Sequence, residues 1–467
     1  MQKKNNFTHV VFGNSLASLV ATLSLAKSKK NKILLINPKN FWGGHFNPIK
    51  LDRNEFDVGM FLFEFTNLTP KKNLKPFKYD NLKFQNSQFF VNSVRSLVNK
   101  YFVTKKILPI KIFYKKKFYE DYLISNNISF LKSIKLKKNI NQEIREINIK
   151  SLKKLKLHSS QKRFSKKFLS KSLNDISILN HGKTFHQNFI EIFCKKTLYC
   201  STKDVVAKFH RVCWLPLYYP ETIKDELINK SKLKLFEFEY PLNELGSTIT
   251  KKLVNNIKKK KNILINYDLE NISFRLNNKF LFFNDKKILK KNFVFGSDLT
   301  DFKKFKNIKI NDNFKKSSMG IIFITTDKKN LKKKFSIINF IDSEISFYRV
   351  VNQSSLDLNK KKIKISIEFN LDYLNYLSKS KNLKIDSMIF KNLKDIKIFH
   401  NINKLEYKVR IFKDIYMKPN KANLNTYNKN YRNVLKFMSK KNLIGPAAGF
   451  YKSSFNDQVI QGAKFEK

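Results

Sequence analysis

The sequence predicts an α/β protein with two domains. At 467 residues, 42% of them hydrophobic, the chain is too long for one ordinary core and has enough apolar side chains for two. Its opening stretch consists of an apolar strand, a glycine, an apolar-periodic helix and a second apolar strand. The chain keeps only 11 glycines, so we expect each of them to mark a position where the backbone requires one.

The formal net charge of +58 would by itself suggest a nucleic-acid partner. Only nine of the 94 basic residues are arginine, the side chain that binds phosphate and guanine in a bidentate fork. The lysines are spread along nearly the whole chain, and Lys, Asn, Ile and Phe are over-used, as in proteins of AT-rich genomes. We therefore attribute the charge to composition and expect no specific nucleic-acid partner.

The opening stretch "HVVFGNSLASLVATLSLAKSKKNKILLIN" has the spacing of a dinucleotide-binding βαβ unit. In that motif three glycines permit a tight turn, close approach to a pyrophosphate and close helix packing, and an acidic residue follows the second strand. These four places hold Gly13, Ser15, Ser18 and Asn37. On these residues alone, a nucleotide site and a plain βαβ unit are both open.

The positions of the glycines connect the two ends of the chain. Four glycines lie in the first sixty residues and three in the last twenty-five, and these are Gly13, Gly43, Gly44, Gly59, Gly445, Gly449 and Gly462. Because a glycine allows close backbone approach, such clusters are typical of ligand-binding turns. We expect the two ends to form one site.

Beyond the second strand, the sequence resembles a flavoprotein family. The stretch "NPKNFWGGHFNPIKLDRNEFDVGMFLFE" is similar to the GG pair and the "fD.G.h.f" element of proteins related to UDP-galactopyranose mutase, protoporphyrinogen oxidase and the amine oxidases. Gly43 and Gly44 match the pair, and Asp57 and Gly59 match the second element. Met60 stands where the family has histidine.

The resemblance continues in order along the chain. "YPLNELGSTITKKLVNNI" and "FSIINFIDSEISFYRVVN" are similar to later family segments, and "NLIGPAAGFYKSSFNDQVIQGAKFEK" is similar to the family's terminal element along the flavin. Pro446 and Gln458 replace its arginine and histidine. We expect Asn456 and Asp457 to cap a final helix through Gln461.

The resemblance implies a glutathione-reductase-type, Rossmann-like FAD-binding domain and a second α+β substrate domain. It places the FAD-binding parts at residues 1–67, 235–300 and 425–467, a helical substrate region at 68–234, and a mainly antiparallel substrate sheet at 301–424. The implied cofactor is FAD. The implied activity is that of an oxidoreductase or of a mutase-like enzyme acting on a small or nucleotide-sugar-like substrate.

The candidate site residues come from the motifs and from the rarity of arginine. Arg349 and Arg211 are candidates for binding an anionic substrate group, because Arg forms a planar fork that Lys cannot reproduce. His45 follows the glycine pair and could approach a flavin ring. The candidate cofactor-binding residues are Gly13, Ser15, Ser18, Asn37, Gly43, Gly44, Gly59, Gly445, Gly449, Asn456 and Asp457.

A second hypothesis is a flavin-fold protein without catalysis that serves as a binding or assembly partner. It follows from the departures at cofactor-facing positions, which are Ser15, Ser18, Asn37, Met60, Pro446 and Gln458. The cysteines lack CxxC spacing, so we expect no metal site and a cytoplasmic, reducing location. We also expect a small-molecule substrate and no transmembrane segment, while peripheral membrane contact and oligomeric state stay open.

Overall fold

A computed structural model of the chain describes residues 7–65, 87–120, 137–146, 170–210, 213–215, 238–266, 274–277, 279–283, 286–357, 359–381 and 384–466. The described residues form a mixed α/β fold. Two sheets dominate it: a parallel sheet that contains the opening strands, and a larger, mostly antiparallel sheet. No helix among the described residues is both long and apolar enough to cross a membrane.

The parallel sheet has the strand order β10-β2-β1-β14. Its strands are β1 His9–Phe12, β2 Ile33–Ile36, β10 Ile263–Asn266 and β14 Phe293–Phe295. The strands β1, β2 and β14 are almost entirely buried and apolar, which is typical of parallel strands covered on both faces. Leu443 forms a parallel bridge to Phe295, so the C-terminal segment continues the sheet beyond β14.

Helix α1 (Leu16–Leu25) connects β1 to β2, and nine of its ten residues are buried. Two later helices pack against it: α6 (Thr248–Lys258) and the C-terminal α10 (Phe455–Ala463). A side chain on Gly462 would lie 2.6 Å from Cβ of Val20 and 2.7 Å from the carbonyl oxygen of Ala17. This glycine therefore lets α10 approach α1 closely and bring the end of the chain to its beginning.

The larger sheet has the order β19-β15-β18-β17-β16-β7-β8. Its strands are β7 Lys111–Tyr114, β8 Lys117–Glu120, β15 Lys316–Asp327, β16 Ile337–Phe340, β17 Arg349–Asn352, β18 Lys362–Asn370 and β19 Glu406–Met417. All neighbouring strands are antiparallel except β16 and β7. Residues of the predicted 68–234 region thus contribute two strands to the same sheet as residues of the 301–424 region.

The two faces of the larger sheet have different neighbours. On one face, alternating isoleucines of β18 pack in a core with helices α7 (Leu371–Lys381) and α8 (Ile385–Ile396). On the other face, Ile321 and Phe323 pack with the hairpin of β3 (Ile49–Leu51) and β4 (Asn54–Phe56). The second face therefore lies against the segment that follows the glycine pair.

The remaining elements complete the layers. The three-stranded sheets are β5-β9-β6 (Phe63–Glu64, Phe238–Pro241, Thr104–Lys106) and β11-β12-β13 (Phe274–Leu276, Phe280–Phe283, Lys286–Leu289). The remaining α-helices of at least eight residues are α2 Ser87–Asn99, α3 Lys137–Glu146, α4 Leu173–His181, α5 Glu191–Leu198 and α9 Lys421–Leu435. A π-helical turn, His186–Ile190, precedes α5.

Candidate functional site

Three glycines meet at the carboxyl ends of adjacent parallel strands. Gly13 follows β1, Gly296 follows β14, and Gly445 follows the Leu443 bridge. A side chain on Gly13 would lie 2.5 Å from the carbonyl carbon of Gly296, and one on Gly445 would lie 2.7 Å from Oγ of Ser15. In open α/β sheets, the crevice outside these strand ends is the usual ligand site.

The two serines of the degenerate motif are buried and hydrogen-bonded within the chain. Ser15 is the N-cap of α1, because its hydroxyl accepts the N–H of Ser18 at 3.2 Å. The two hydroxyl oxygens lie 3.0 Å apart, and the Ser18 hydroxyl donates to the carbonyl oxygen of Gly296 at 3.2 Å. The hydroxyls therefore stabilise the junction between α1 and β14.

The C-terminal helix begins earlier than we predicted. Its N-cap is Ser454, whose hydroxyl accepts the N–H of Asp457 at 3.2 Å, and the helix continues to Ala463. The prediction that Asn456 and Asp457 cap it was wrong, because both lie within its first turn. Asn456 donates to the carbonyl oxygen of Glu64 at 3.0 Å, and Asp457 accepts from the Ser454 hydroxyl at 2.6 Å.

Two glutamines of α10 accept hydrogen bonds from the strand-end turns. Oε1 of Gln458 accepts the N–H of Ala17, in the first turn of α1, at 3.2 Å. Oε1 of Gln461 accepts the N–H of Gly445 at 2.5 Å. Each glutamine thus satisfies an amide at the carboxyl edge of the parallel sheet with a neutral acceptor.

Asn37 holds a turn that folds over the end of β1. Its Oδ1 accepts the N–H of Lys39 at 2.9 Å, and its Nδ2 lies 3.4 Å from the carbonyl oxygen of Phe41. The Asn14 side chain also donates to that carbonyl oxygen, at 3.3 Å, and the main-chain carbonyl oxygen of Asn14 accepts the N–H of Gly43 at 2.6 Å. The Asn37 side chain is 1% exposed and is used for this turn.

The two glycines of the pair have different surroundings. Gly43 has a positive φ of 83°, and a side chain there would collide with Thr250. For Gly44, with φ of 59°, no atom of the described residues outside its own turn lies within 4 Å of the position of a side-chain carbon. The next residue, His45, is exposed. Desolvation lowers the pKa of its imidazole to about 4, so the ring is neutral at pH 7.

Asp57 anchors the segment that leads to Gly59 and Met60. Its carboxylate accepts from the Tyr240 hydroxyl at 2.5 Å, from the Ser247 N–H at 2.9 Å and from the Gly246 N–H at 3.3 Å. Burial raises its pKa, and these donors oppose that shift. Gln353 of the larger sheet binds both the N–H and the carbonyl of Asp57, at 3.0 and 2.9 Å.

Arg349 lies on the sheet face that meets this anchored segment. Its Nη1 contacts the sulfur of Met60 at 3.3 Å, and the guanidinium lies 5.6 Å from the centre of the Trp214 ring. A carboxylate oxygen of Glu368 lies 3.8 Å from Nη2, beyond hydrogen-bond distance. Nε of Arg349 is buried and has no partner within the described part of the chain.

The structure brings most of the predicted residues to two places. The residues at the places of the dinucleotide motif lie at the strand ends. Gly59 lies beside Glu368, the residue opposite Arg349: a side-chain carbon on Gly59 would be 3.1 Å from the carboxylate carbon of Glu368. Arg211 lies outside the described residues. Sequence reasoning missed Glu368, although the alternation in "KIKISIEFN" puts it on the face opposite the isoleucines.

Comparison with known proteins gives a consistent fold and little sequence similarity. No protein-family model matches the chain. A 249-residue segment, 51% of the chain, is 26% identical to Protein Ycf2 of Physcomitrium patens and covers 9% of that protein. The match therefore spans under a tenth of the length of this curated relative.

Three solved structures superimpose on almost the whole chain. Reduced UDP-galactopyranose mutase superimposes with a TM-score of 0.68 and 11% identity, covering 99% of this chain and 95% of that one. A putrescine oxidase triple mutant gives 0.60 and 8%, covering 97% and 96%. A protoporphyrinogen oxidase candidate from Exiguobacterium gives 0.59 and 11%, covering 97% and 96%. The predicted resemblance is confirmed for the fold: the chain has the architecture of UDP-galactopyranose mutase, putrescine oxidase and these oxidoreductases.

Proposed function

We propose that the chain is an FAD-dependent oxidoreductase or mutase-like enzyme of the glutathione-reductase type. The support is the strand-end crevice, where glycines follow β1, β14 and the Leu443 bridge, together with the fold likeness. The proposal includes the five-segment division of the chain and a cytoplasmic location, both predicted from the sequence.

We infer that FAD is the cofactor that would bind at the crevice. Gly44 is our candidate neighbour of the flavin ring, because no described atom outside its own turn lies within 4 Å of a side-chain carbon placed there, and the neutral His45 is the next residue. FAD, when bound, would supply hydride transfer or reaction of the reduced flavin with an electrophilic carbon. The residues that would hold it are Gly13, Ser15, Ser18, Asn37, Gly43, Gly44, Gly59, Gly445, Gly449, Asn456 and Asp457.

The burial of Arg349 without a hydrogen-bonded anion among the described residues is the single observation that supports the substrate part of the proposal. The residue is 7% exposed, while the described contacts of its guanidinium are a thioether sulfur, aromatic rings and one distant carboxylate. A buried guanidinium with unpaired donors is costly unless an anion binds to it. We infer that Arg349 binds an anionic substrate group and orients it toward the Gly59 segment.

The first test is the visible spectrum of the protein, purified in high salt, with and without FAD. We expect flavin absorption bands that persist through gel filtration. Colourless, folded protein that ignores FAD would contradict the proposal.

The second test concerns Arg349. In Arg349→Lys we expect the affinity for inorganic pyrophosphate to fall about tenfold, because Lys cannot form the bidentate pair of charge-assisted hydrogen bonds that Arg forms with phosphate. The matched control is Arg275→Lys on β11, whose exposed guanidinium packs on Phe282, and it should leave the affinity unchanged. Equal effects of both substitutions would contradict a specific anion site.

A non-catalytic binding partner is the second candidate function. It is favoured by the hydrogen bonds of the crevice, because Gln458 already accepts the Ala17 N–H and the Asn37 side chain already accepts the N–H of Lys39 in its own turn. The same spectrum separates the two candidates: stable flavin bands favour the enzyme, and their absence from folded protein favours the binding partner.

A further inference from the structure

Arg349 and Glu368 are directly opposite each other on neighbouring antiparallel strands. Arg349 is the first residue of β17, and the register pairs it with Glu368 of β18. Directly paired residues project from the same face of a sheet, with Cβ atoms about 5 Å apart. That face is the one that meets Gly59 and Met60, so both side chains border the proposed substrate position.

The two side chains are buried, and each has an unpartnered polar atom. The exposed fractions of the Arg349 and Glu368 side chains are 9% and 6%. Nε of Arg349 is a donor without an acceptor, and Oε1 of Glu368 is an acceptor without a donor, within the described residues. Buried polar atoms are normally hydrogen-bonded, so a donor and an acceptor that lack partners at one place are suited to binding a polar ligand.

The contacts of Glu368 leave this one oxygen for a ligand. Its other oxygen, Oε2, accepts from the Tyr348 hydroxyl at 3.0 Å. The ion pair with Arg349 joins the same Oε2 to Nη2 over 3.8 Å, which is too long for a hydrogen bond. Tyr348 therefore orients the carboxylate, and neither Tyr348 nor Arg349 uses Oε1.

We propose that Glu368 determines specificity by accepting a hydrogen bond from an ammonium or hydroxyl group next to the anion that Arg349 binds. This inference rests on the proposed anion site. The substrate class is then an anion with an adjacent hydrogen-bond donor, as in an α-amino acid or an α-hydroxy acid. A plain carboxylate would leave Oε1 without its donor, and that unmet acceptor would weaken binding.

The test compares three small probes by calorimetry: acetate, glycolate and glycine, which differ in the donor beside the carboxylate. With wild-type protein we expect glycine to bind roughly tenfold tighter than acetate, with glycolate between them. In Glu368→Met this preference should shrink to less than about twofold, with acetate affinity nearly unchanged. Glu368→Gln keeps the shape of the side chain and one acceptor oxygen, now an amide carbonyl. We expect it to retain an intermediate preference for glycine over acetate.

The control variant is Glu239→Gln, which alters a buried glutamate on β9, in another sheet, that is paired with Arg95 of α2. It should leave the glycine preference unchanged. Equal binding of acetate and glycine to the wild type would overturn the inference, and so would equal weakening of both probes in Glu368→Gln. If Arg349→Met does not weaken acetate binding, the anion site itself fails. If it does weaken acetate binding while glycine binds no better than acetate, only the role of Glu368 fails.

Discussion

The backbone N–H of Ala17 donates a hydrogen bond to Oε1 of Gln458 at 3.2 Å. This contact joins the first turn of α1 to the C-terminal helix, 441 residues later in the chain. The first turn of α1 contains no acidic residue, and the Ser15 hydroxyl caps the next amide. Gln458 therefore provides a neutral acceptor at a helix end that would also attract an anion.

We expect Gln458→Met to lower the free energy of unfolding by about 1 kcal/mol, because a buried amide loses its acceptor. Urea denaturation of the flavin-free protein measures this. The control is Gln142→Met, at an exposed position on α3, with an expected change within about 0.5 kcal/mol. If a flavin phosphate takes the Ala17 amide, saturating FAD should reduce the loss, whereas a constant loss would place the phosphate elsewhere.

Gly13 and Gly44 should respond differently to alanine. Gly13→Ala puts a methyl group 2.5 Å from the Gly296 backbone at a φ of 140°, so we expect a loss of at least about 3 kcal/mol. Gly44→Ala meets no described atom outside its own turn within 4 Å and costs only the left-handed strain, about 1 kcal/mol. Its methyl group should nevertheless lower FAD affinity in a fluorescence titration. Unchanged affinity would mean that the flavin does not use this space.

Asp57→Asn should be severely destabilising. The carboxylate accepts from four donors on Tyr240, Gly246 and Ser247, and an amide nitrogen turned toward them would leave donors facing a donor. We expect a loss of about 3 kcal/mol in chemical denaturation. The matched control, Asp414→Asn, lies on the exposed edge strand β19 at a φ of 49° that asparagine tolerates. Similar losses in both variants would refute the anchoring role of Asp57.

Lys196 should make stability depend on pH. The lysine is 1% exposed and donates to the carbonyl oxygens of Phe340 and Asp342, both at 2.8 Å. Desolvation lowers its pKa to about 7, opposed by the charge of Asp342. Above pH 7 the unfolded state therefore binds more protons than the folded state, and the free energy of unfolding rises with pH.

The measurement is the difference in unfolding free energy between wild type and Lys196→Met from pH 7 to pH 9. We expect the wild type to gain up to about 1.4 kcal/mol per pH unit relative to the variant. Lys195→Met, at a largely exposed neighbour, should show no such trend. A flat difference for Lys196→Met would mean that the buried ammonium keeps its proton over this range.

The opening βαβ unit was predictable because its signals are local. The strands "HVVF" and "KILLIN", and the helix between them, were confirmed as β1, β2 and α1. An apolar run, a turn glycine and apolar residues at helical spacing each act within a few residues. The start of α10 was less predictable, since Ser453, Ser454, Asn456 and Asp457 are all residue types that cap helices.

By itself, the sequence determined the βαβ unit, the scarcity of glycine and the concentration of glycines at the two ends. Only the tertiary structure decided that β17 and β18 pair in the register that sets Arg349 opposite Glu368, and that Gln458 reaches the Ala17 amide. The physical reason is range. Periodicity and turn chemistry follow from neighbouring residues, whereas these contacts depend on packing between segments that lie far apart in the chain.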